Sequence, residues 1–190
     1  MKTLKLAASL LALALTASSA AAAPLRTAVF AGGCFWSMEH DMRPIPGVTD
    51  VVVGYAGGTR PNPNYQNHAD YLESVRVTYD PARISYPQLV ARYLRVTDPT
   101  DAGGAACDRG PSYRPAIFVA DPQERQAALS AIAQAQPFVH GRIITPVLPA
   151  GRFYMGEGYH QHYAQKNPVA YNMYRVGCGK DGRLRAVWGR

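Results

Sequence analysis

Cysteine is scarce in this 190-residue chain, which has only Cys34, Cys107 and Cys178. No two of them stand in C-x-x-C spacing, which argues against a zinc ribbon and against a thioredoxin-type motif. Their odd number fits poorly with a purely structural disulfide framework, so at least one thiol needs another explanation. Basic runs with interleaved aromatics are also missing; arginine dominates the basic set and is scattered, so nothing marks a nucleic-acid binder. The chain has no internal repeat and no second-domain linker. Its one long apolar run, Leu6 to Leu15, is too short and too soon followed by Ser and Ala to span a membrane, so no stable membrane insertion is expected.

That run belongs to a leader. Lys2 and Lys5 precede it and a tail of alanines follows it, the order of parts in a secretory signal peptide over residues 1–23. No cysteine follows at once to carry a lipid. The expectation is an exported protein, periplasmic or secreted, with a single domain over residues 24–190. Formal charge is +7, or +5 once the two leader lysines are removed, which suits a basic, soluble protein. About 167 residues remain, enough for one proper core.

Periodicity orders the elements. Residues 26–31 read as a strand running into Gly32-Gly33, and 34–43 as a helix that Pro44 and Pro46 must stop. Residues 48–56 and 72–80 read as strands and 86–96 as a helix. The stretch 97–113 is a long loop of the kind that is usually functional. Residues 116–120 form a strand, 122–136 a helix capped by Asp121 with Pro122 first, 142–149 a strand and 157–167 a helix. The opening matches part of a split β-α-β arrangement. The fold class expected is α+β, a ferredoxin-like two-layer α/β sandwich with a mixed, mostly antiparallel sheet and an irregular C-terminal tail.

The sequence Gly32-Gly33-Cys34-Phe35-Trp36 puts a cysteine at the start of a helix. Free backbone N–H groups and the positive end of the helix dipole favour thiolate there, and thiolate is the reactive form. The glycines permit close approach, and Phe35 and Trp36 offer an apolar wall for a small uncharged group. A buried cysteine in an aromatic core is the plainer alternative.

A series of ordered blocks then carries a resemblance. Gly-Cys-Phe-Trp at 33–36 is followed by Ile-Pro-Gly-Val and Val-Gly-Tyr-Ala-Gly-Gly. Downstream come YDPARISYPQL, TDPT, DRGPSYRPAIF and FYMGEGYHQHYAQKNP. From about Val29 to the C-terminus the chain resembles the A-type peptide methionine sulfoxide reductases. The resemblance implies that Cys34 attacks the sulfoxide sulfur of oxidised methionine and is left as a sulfenic acid. It places the acid that protonates the oxygen at Glu73, with Tyr65 and Tyr113 as hydrogen-bonding tyrosines and Asp108 holding water and neighbouring groups in place. Phe35 and Trp36 would hold the S-methyl group, with His160 and Tyr163, three apart on one helical face, in support.

The same resemblance implies a resolving cysteine that condenses with the sulfenic acid. Cys178, in a glycine-rich tail able to swing, is favoured over Cys107, which adjoins Asp108. No bound cofactor or metal is implied. Electrons would come from a thioredoxin-like protein or a dithiol reductant, the substrate would be methionine sulfoxide in proteins or peptides, and the protein would be a monomer. The chain departs from the family pattern in having Tyr71 where a histidine commonly stands. Cys107 takes a place more often held by asparagine. The rival readings are a Cys-His hydrolase using Cys34 and His160, another exported thiol oxidoreductase, and a metal site at His160, His162 and a cysteine.

Overall fold

A computed structural model describes residues 23–189, and the leader expected over 1–23 lies outside them apart from Ala23. The chain forms β1 (Arg26–Ala31), α1 (Phe35–Met42), β2 (Val48–Ala56), β3 (Leu72–Tyr79) and α2 (Tyr86–Arg95). A two-strand hairpin follows, β4 (Gly104–Ala105) and β5 (Asp108–Arg109), then β6 (Ala116–Val119), α3 (Pro122–Ala135), β7 (Val147–Pro149) and β8 (Tyr154–Met155). Three helices close the chain: α4 (Tyr163–Lys166), α5 (Pro168–Gly177) and α6 (Lys180–Trp188).

The main sheet has the order β7-β6-β1-β3-β2-β8. Only β6 and β7 are parallel, and every other pair is antiparallel. The middle four strands, β6-β1-β3-β2, with α1 joining β1 to β2 and α2 between β3 and β6, are the ferredoxin-like unit expected. β7 and β8 extend its edges. Alternation in the strands sorts the faces: Phe30, Val51, Val53, Tyr55, Val75 and Val77 are buried in one core with Phe35, Met38, Met42, Leu89, Tyr93 and Leu94 of the helices. A smaller cluster around Ala31, Ala56, Ala116 and Phe118 occupies the other face.

Local chemistry explains the boundaries. Ser85 and Gln88 form a capping box for α2, and Asp121 accepts the Glu124 N–H (2.7 Å) at the start of α3. Three expectations are revised. The strand over 142–149 shrinks to β7. The helix over 157–167 is only α4, preceded by turns, because His162 adopts a left-handed conformation (φ 58°) that reverses the chain. The tail is not irregular, since it forms α5 and α6 and both are pinned. Asp41 of α1 takes Lys180 (2.9 Å) and Arg175 (2.9 Å), Arg183 reaches Asp98 (2.6 Å), and Trp188 donates to the Thr97 carbonyl (3.2 Å).

Candidate active site

Cys34 caps α1, and its carbonyl accepts the N–H groups of Ser37 (3.1 Å) and Met38 (3.2 Å). Gly33, in front of it, has φ 89° and donates to the Tyr113 carbonyl (3.0 Å); a β-carbon there would collide with Ala105. The glycine therefore serves a close approach between the turn and the hairpin. Cys34 is buried and is the free cysteine.

Burial decides the protonation of that thiol. It pushes the Cys34 pKa up to about 12, helped by the negative charges of Glu73 and Asp108 and opposed by the Tyr174 hydroxyl and the Trp36 backbone N–H. The thiolate expected from the helix terminus is thus not the resting form. Desolvation and two carboxylates outweigh the first-turn amides until something neutralises them.

Glu73 stands on β3, 1 % exposed, and its Oε2 accepts the Phe35 N–H at 2.9 Å. Burial raises its pKa to about 8; the Phe35 bond lowers it and the Asp108 charge adds to the rise. At neutral pH it is a carboxylic acid, next to the helix that Cys34 begins. Asp108 of β5 is half-buried, which raises its pKa against the opposing pull of Tyr174, Lys180 and the Cys34 backbone, and it accepts the Tyr174 hydroxyl (2.5 Å).

The aromatic residues meet around this pair. Phe35 packs against Tyr55 (centroids 5.9 Å) and His160 (4.9 Å). Trp36 stacks on Tyr163 at 3.8 Å, meets Tyr174 edge-on at 6.1 Å and donates Nε1–H to His160 Nδ1 (3.1 Å). Tyr65 is 42 % exposed, donates its backbone N–H to Glu157 (2.8 Å) and lies over His160 at 4.6 Å. The phenols of Tyr65 and Tyr113 are both shifted upward by burial first and then by Glu73, so both share the basin of the buried acid. His160 and Tyr163 converge on Trp36 from the two sides of the reversal at His162, not from one helical face.

Sequence reasoning missed three contributors. Tyr174 of α5 donates its hydroxyl to Asp108 and lies close enough to Cys34 to pull the thiol pKa down against its burial. Its only sequence signal was its place four residues before Cys178. Glu157 accepts the Tyr55 hydroxyl (2.9 Å) and fixes Tyr65. His68 lies 4.0 Å from Glu73 Oε1, whereas Tyr71, at the usual histidine position, is spent on the Arg60 carbonyl and on packing beneath Gly58.

Cys107 and Cys178 are joined in a disulfide. Cys107 is exposed, whereas Cys178 is half-buried with Sγ 3.9 Å from Asp108 Oδ2, the oxygen that also takes Tyr174. Favoured and alternative resolving cysteines are thus partners, and neither hangs on a loose tail. The same geometry bears on the rivals. His160 Nδ1 is engaged by Trp36 while His162 Nδ1 faces Glu39 (2.8 Å), so the two rings do not offer one joint site. His160, its pKa lowered by burial, is placed with the aromatic wall.

A hidden thiol facing a protonated carboxyl, with a separate cysteine pair one carboxylate away, defines a thiol-dependent oxidoreductase. The family described as peptide methionine sulfoxide reductase matches residues 26–190. A peptide methionine sulfoxide reductase MsrA 2 of Caulobacter vibrioides is 51 % identical over 187 residues, covering 96 % of this chain and 95 % of that one. Methionine sulfoxide reductase A of Corynebacterium diphtheriae superposes with a TM-score of 0.71 at 35 % identity, over 76 % of each chain. Mxr1 of Saccharomyces cerevisiae in its reduced form gives 0.72 at 29 %, over 82 % of this chain and 94 % of that one. This chain belongs to the peptide methionine sulfoxide reductase family.

Proposed function

We propose that this protein reduces methionine S-sulfoxide, free or within proteins, and that Cys34, Glu73 and the Cys178–Cys107 pair act in that order. The observation that carries the reading is Glu73, a carboxyl kept protonated by burial at the first turn of the helix that Cys34 begins. The oxygen of a sulfoxide leaves badly unless protonated, and Glu73 is the group able to do so. Tyr65 and Tyr113 hydrogen-bond the oxygen as it gains charge, and Phe35 and Trp36 hold the methyl group.

In the first step Cys34 sulfur attacks the sulfoxide sulfur. A bond forms between the two sulfurs as the S–O bond breaks, the oxygen leaving as hydroxide with the Glu73 proton; that hydroxide then adds to the Cys34 sulfur, the S–S bond breaks, and methionine and a Cys34 sulfenic acid result. The sulfur of methionine is reduced by two electrons and that of Cys34 is oxidised by two. Cys178, the inner member of its pair, then displaces the hydroxyl as water and forms a Cys34–Cys178 disulfide. Attack by Cys107 on Cys178 frees Cys34 and leaves Cys107–Cys178, the bond seen here with Cys34 free. Exposed Cys107 is then the sulfur open to a thioredoxin-like reductant, and no bound cofactor takes part.

The leader grammar supports export to the periplasm or exterior, and one main six-stranded sheet running through the described residues supports a single domain, which we take to act as a monomer. N-terminal sequencing of protein from the periplasmic or secreted fraction should begin near Ala23 or Pro24; an intact Met1 there would overturn this. The chemistry is tested by Cys34→Ser and Glu73→Gln. The first should abolish methionine formation and the second should slow it by about 10²- to 10⁴-fold, the usual contribution of a positioned acid. Full activity in either variant would contradict the assignment.

A further inference from the structure

Glu73 has to be refilled with a proton after each turnover, and the described residues place one group beside it that can do so. His68 lies in the loop between β2 and β3. Its Nδ1 is 3.1 Å from the Asn64 carbonyl, which can only accept, so Nδ1 carries a proton and Nε2 is the nitrogen left for a second partner. Nε2 lies 4.0 Å from Glu73 Oε1. The other carboxyl oxygen, Oε2, is occupied by the Phe35 N–H, which leaves the acid proton on Oε1, the oxygen on the His68 side.

Burial grades outward along this pair. The Glu73 side chain is 2 % exposed and that of His68 12 %. The imidazole is held between the rings of Tyr55 (4.9 Å) and Tyr65 (5.6 Å), and the His68 backbone carbonyl accepts the Tyr71 N–H (2.8 Å). The charged and titratable groups around it are Glu73 from β3, Tyr55 from β2, Tyr65 from its own loop, and His160 and Glu157 from the turn after β8. One water, or an approach of about 1 Å, brings Nε2 and Oε1 within proton-transfer range.

We propose that His68 is the proton relay that recharges Glu73 between turnovers, a role that rests on the function proposed above. The protons balance. Cys34 sheds its proton to water as the thiolate forms. Glu73 gives its own to the sulfoxide oxygen, where it becomes the hydroxyl of the sulfenic acid. The carboxylate so left takes the Nε2 proton of His68, and the imidazole regains one from water. His68 thus acts on Glu73 and not on the substrate.

The test separates first from later turnovers at pH 7, where Glu73 enters the first one already protonated. Reduced native protein and His68→Ala are mixed with excess methionine S-sulfoxide, with and without saturating dithiothreitol. His68→Ala should form its first methionine within about twofold of the native rate, yet turn over about tenfold more slowly in steady state. Added imidazole should restore most of that loss. His68→Gln, which fills the space but carries no proton, should show the same deficit without rescue. A first turnover slowed by the same factor as the later ones would overturn the relay, as would an unchanged steady state or a deficit that imidazole does not relieve. If the native protein forms no methionine at all, the function itself fails and not the relay.

Discussion

Cys34 and Glu73 share a desolvated space in which two negative charges do not fit, and this sets their behaviour with pH. With Glu73 as the proposed acid, its pKa pushed up to about 8 by burial, the rate of methionine formation should hold below that value and fall above it. Stability moves the same way. Between the ordinary carboxyl value of 4.5 and about 8, the native state keeps a proton that the unfolded chain has lost. The stabilisation is full below about 4.5 and is lost as pH rises, with a limiting slope of about 1.4 kcal/mol per pH unit. Urea melts at pH 5 and pH 8 should therefore show Glu73→Gln gaining on the native protein at the higher pH; an equal loss in both would refute the raised acid. Because the Glu73 charge also lifts the Cys34 thiol, Glu73→Gln should speed alkylation of Cys34 at pH 9. Equal or slower alkylation would mean that the two groups do not sense each other.

At the scale of elements, the site depends on α5 and α6 being held against α1. Asp41 is the clasp. Burial alone would raise its pKa, but Lys180, His40 and Arg175 together lower it well below the usual carboxylate range. Asp41→Ala would leave Lys180 and Arg175, both largely buried, without that partner. The expected cost is about 3 kcal/mol, enough to lower Tm by roughly 6–12 °C in a protein of this size. Slower closure of the Cys34–Cys178 disulfide should accompany it, since Cys178 ends α5. A native Tm with native disulfide kinetics would show that the clasp is idle.

The elements also mark how far the sequence could be read. β1, α1, β2, β3, α2, β6 and α3 follow from alternation, helical spacing and the caps at Ser85 and Asp121. The reversal at His162 does not, because a left-handed residue without glycine leaves no pattern. The pinning of the tail rests on Asp41 meeting residues more than 130 positions away, a pairing no local spacing announces. The candidate nucleophile Cys34 and candidate acid Glu73 were named from the ordered blocks, and the fold brings the two into one buried space. His68 was not, because the loop is rearranged and its histidine reaches Glu73 from five residues upstream rather than from the usual position.

At the scale of the whole molecule, two electrons pass inward in the proposed cycle, from the reduced Cys107 and Cys178 thiols to the sulfenic acid of buried Cys34. Exposed Cys107, half-buried Cys178 and buried Cys34 form a graded series, with Asp108 3.9 Å from the Cys178 sulfur and its charge felt by Cys34. Cys107→Ser should therefore still release one methionine, but stall as a Cys34–Cys178 disulfide, visible by mass mapping. Cys178→Ser should stall earlier, with Cys34 as a sulfenic acid that dimedone captures. Native amounts of a Cys34–Cys107 disulfide in the second variant would reverse the assigned order.

The most direct test of the central claim is one turnover of the fully reduced protein with one equivalent of separated S or R methionine sulfoxide, without reductant, followed by thiol counting and disulfide mapping. The account predicts one methionine from the S epimer, two thiols lost, and those two joined as Cys107–Cys178 with Cys34 free again. No methionine from either epimer, with all three thiols intact, would contradict it.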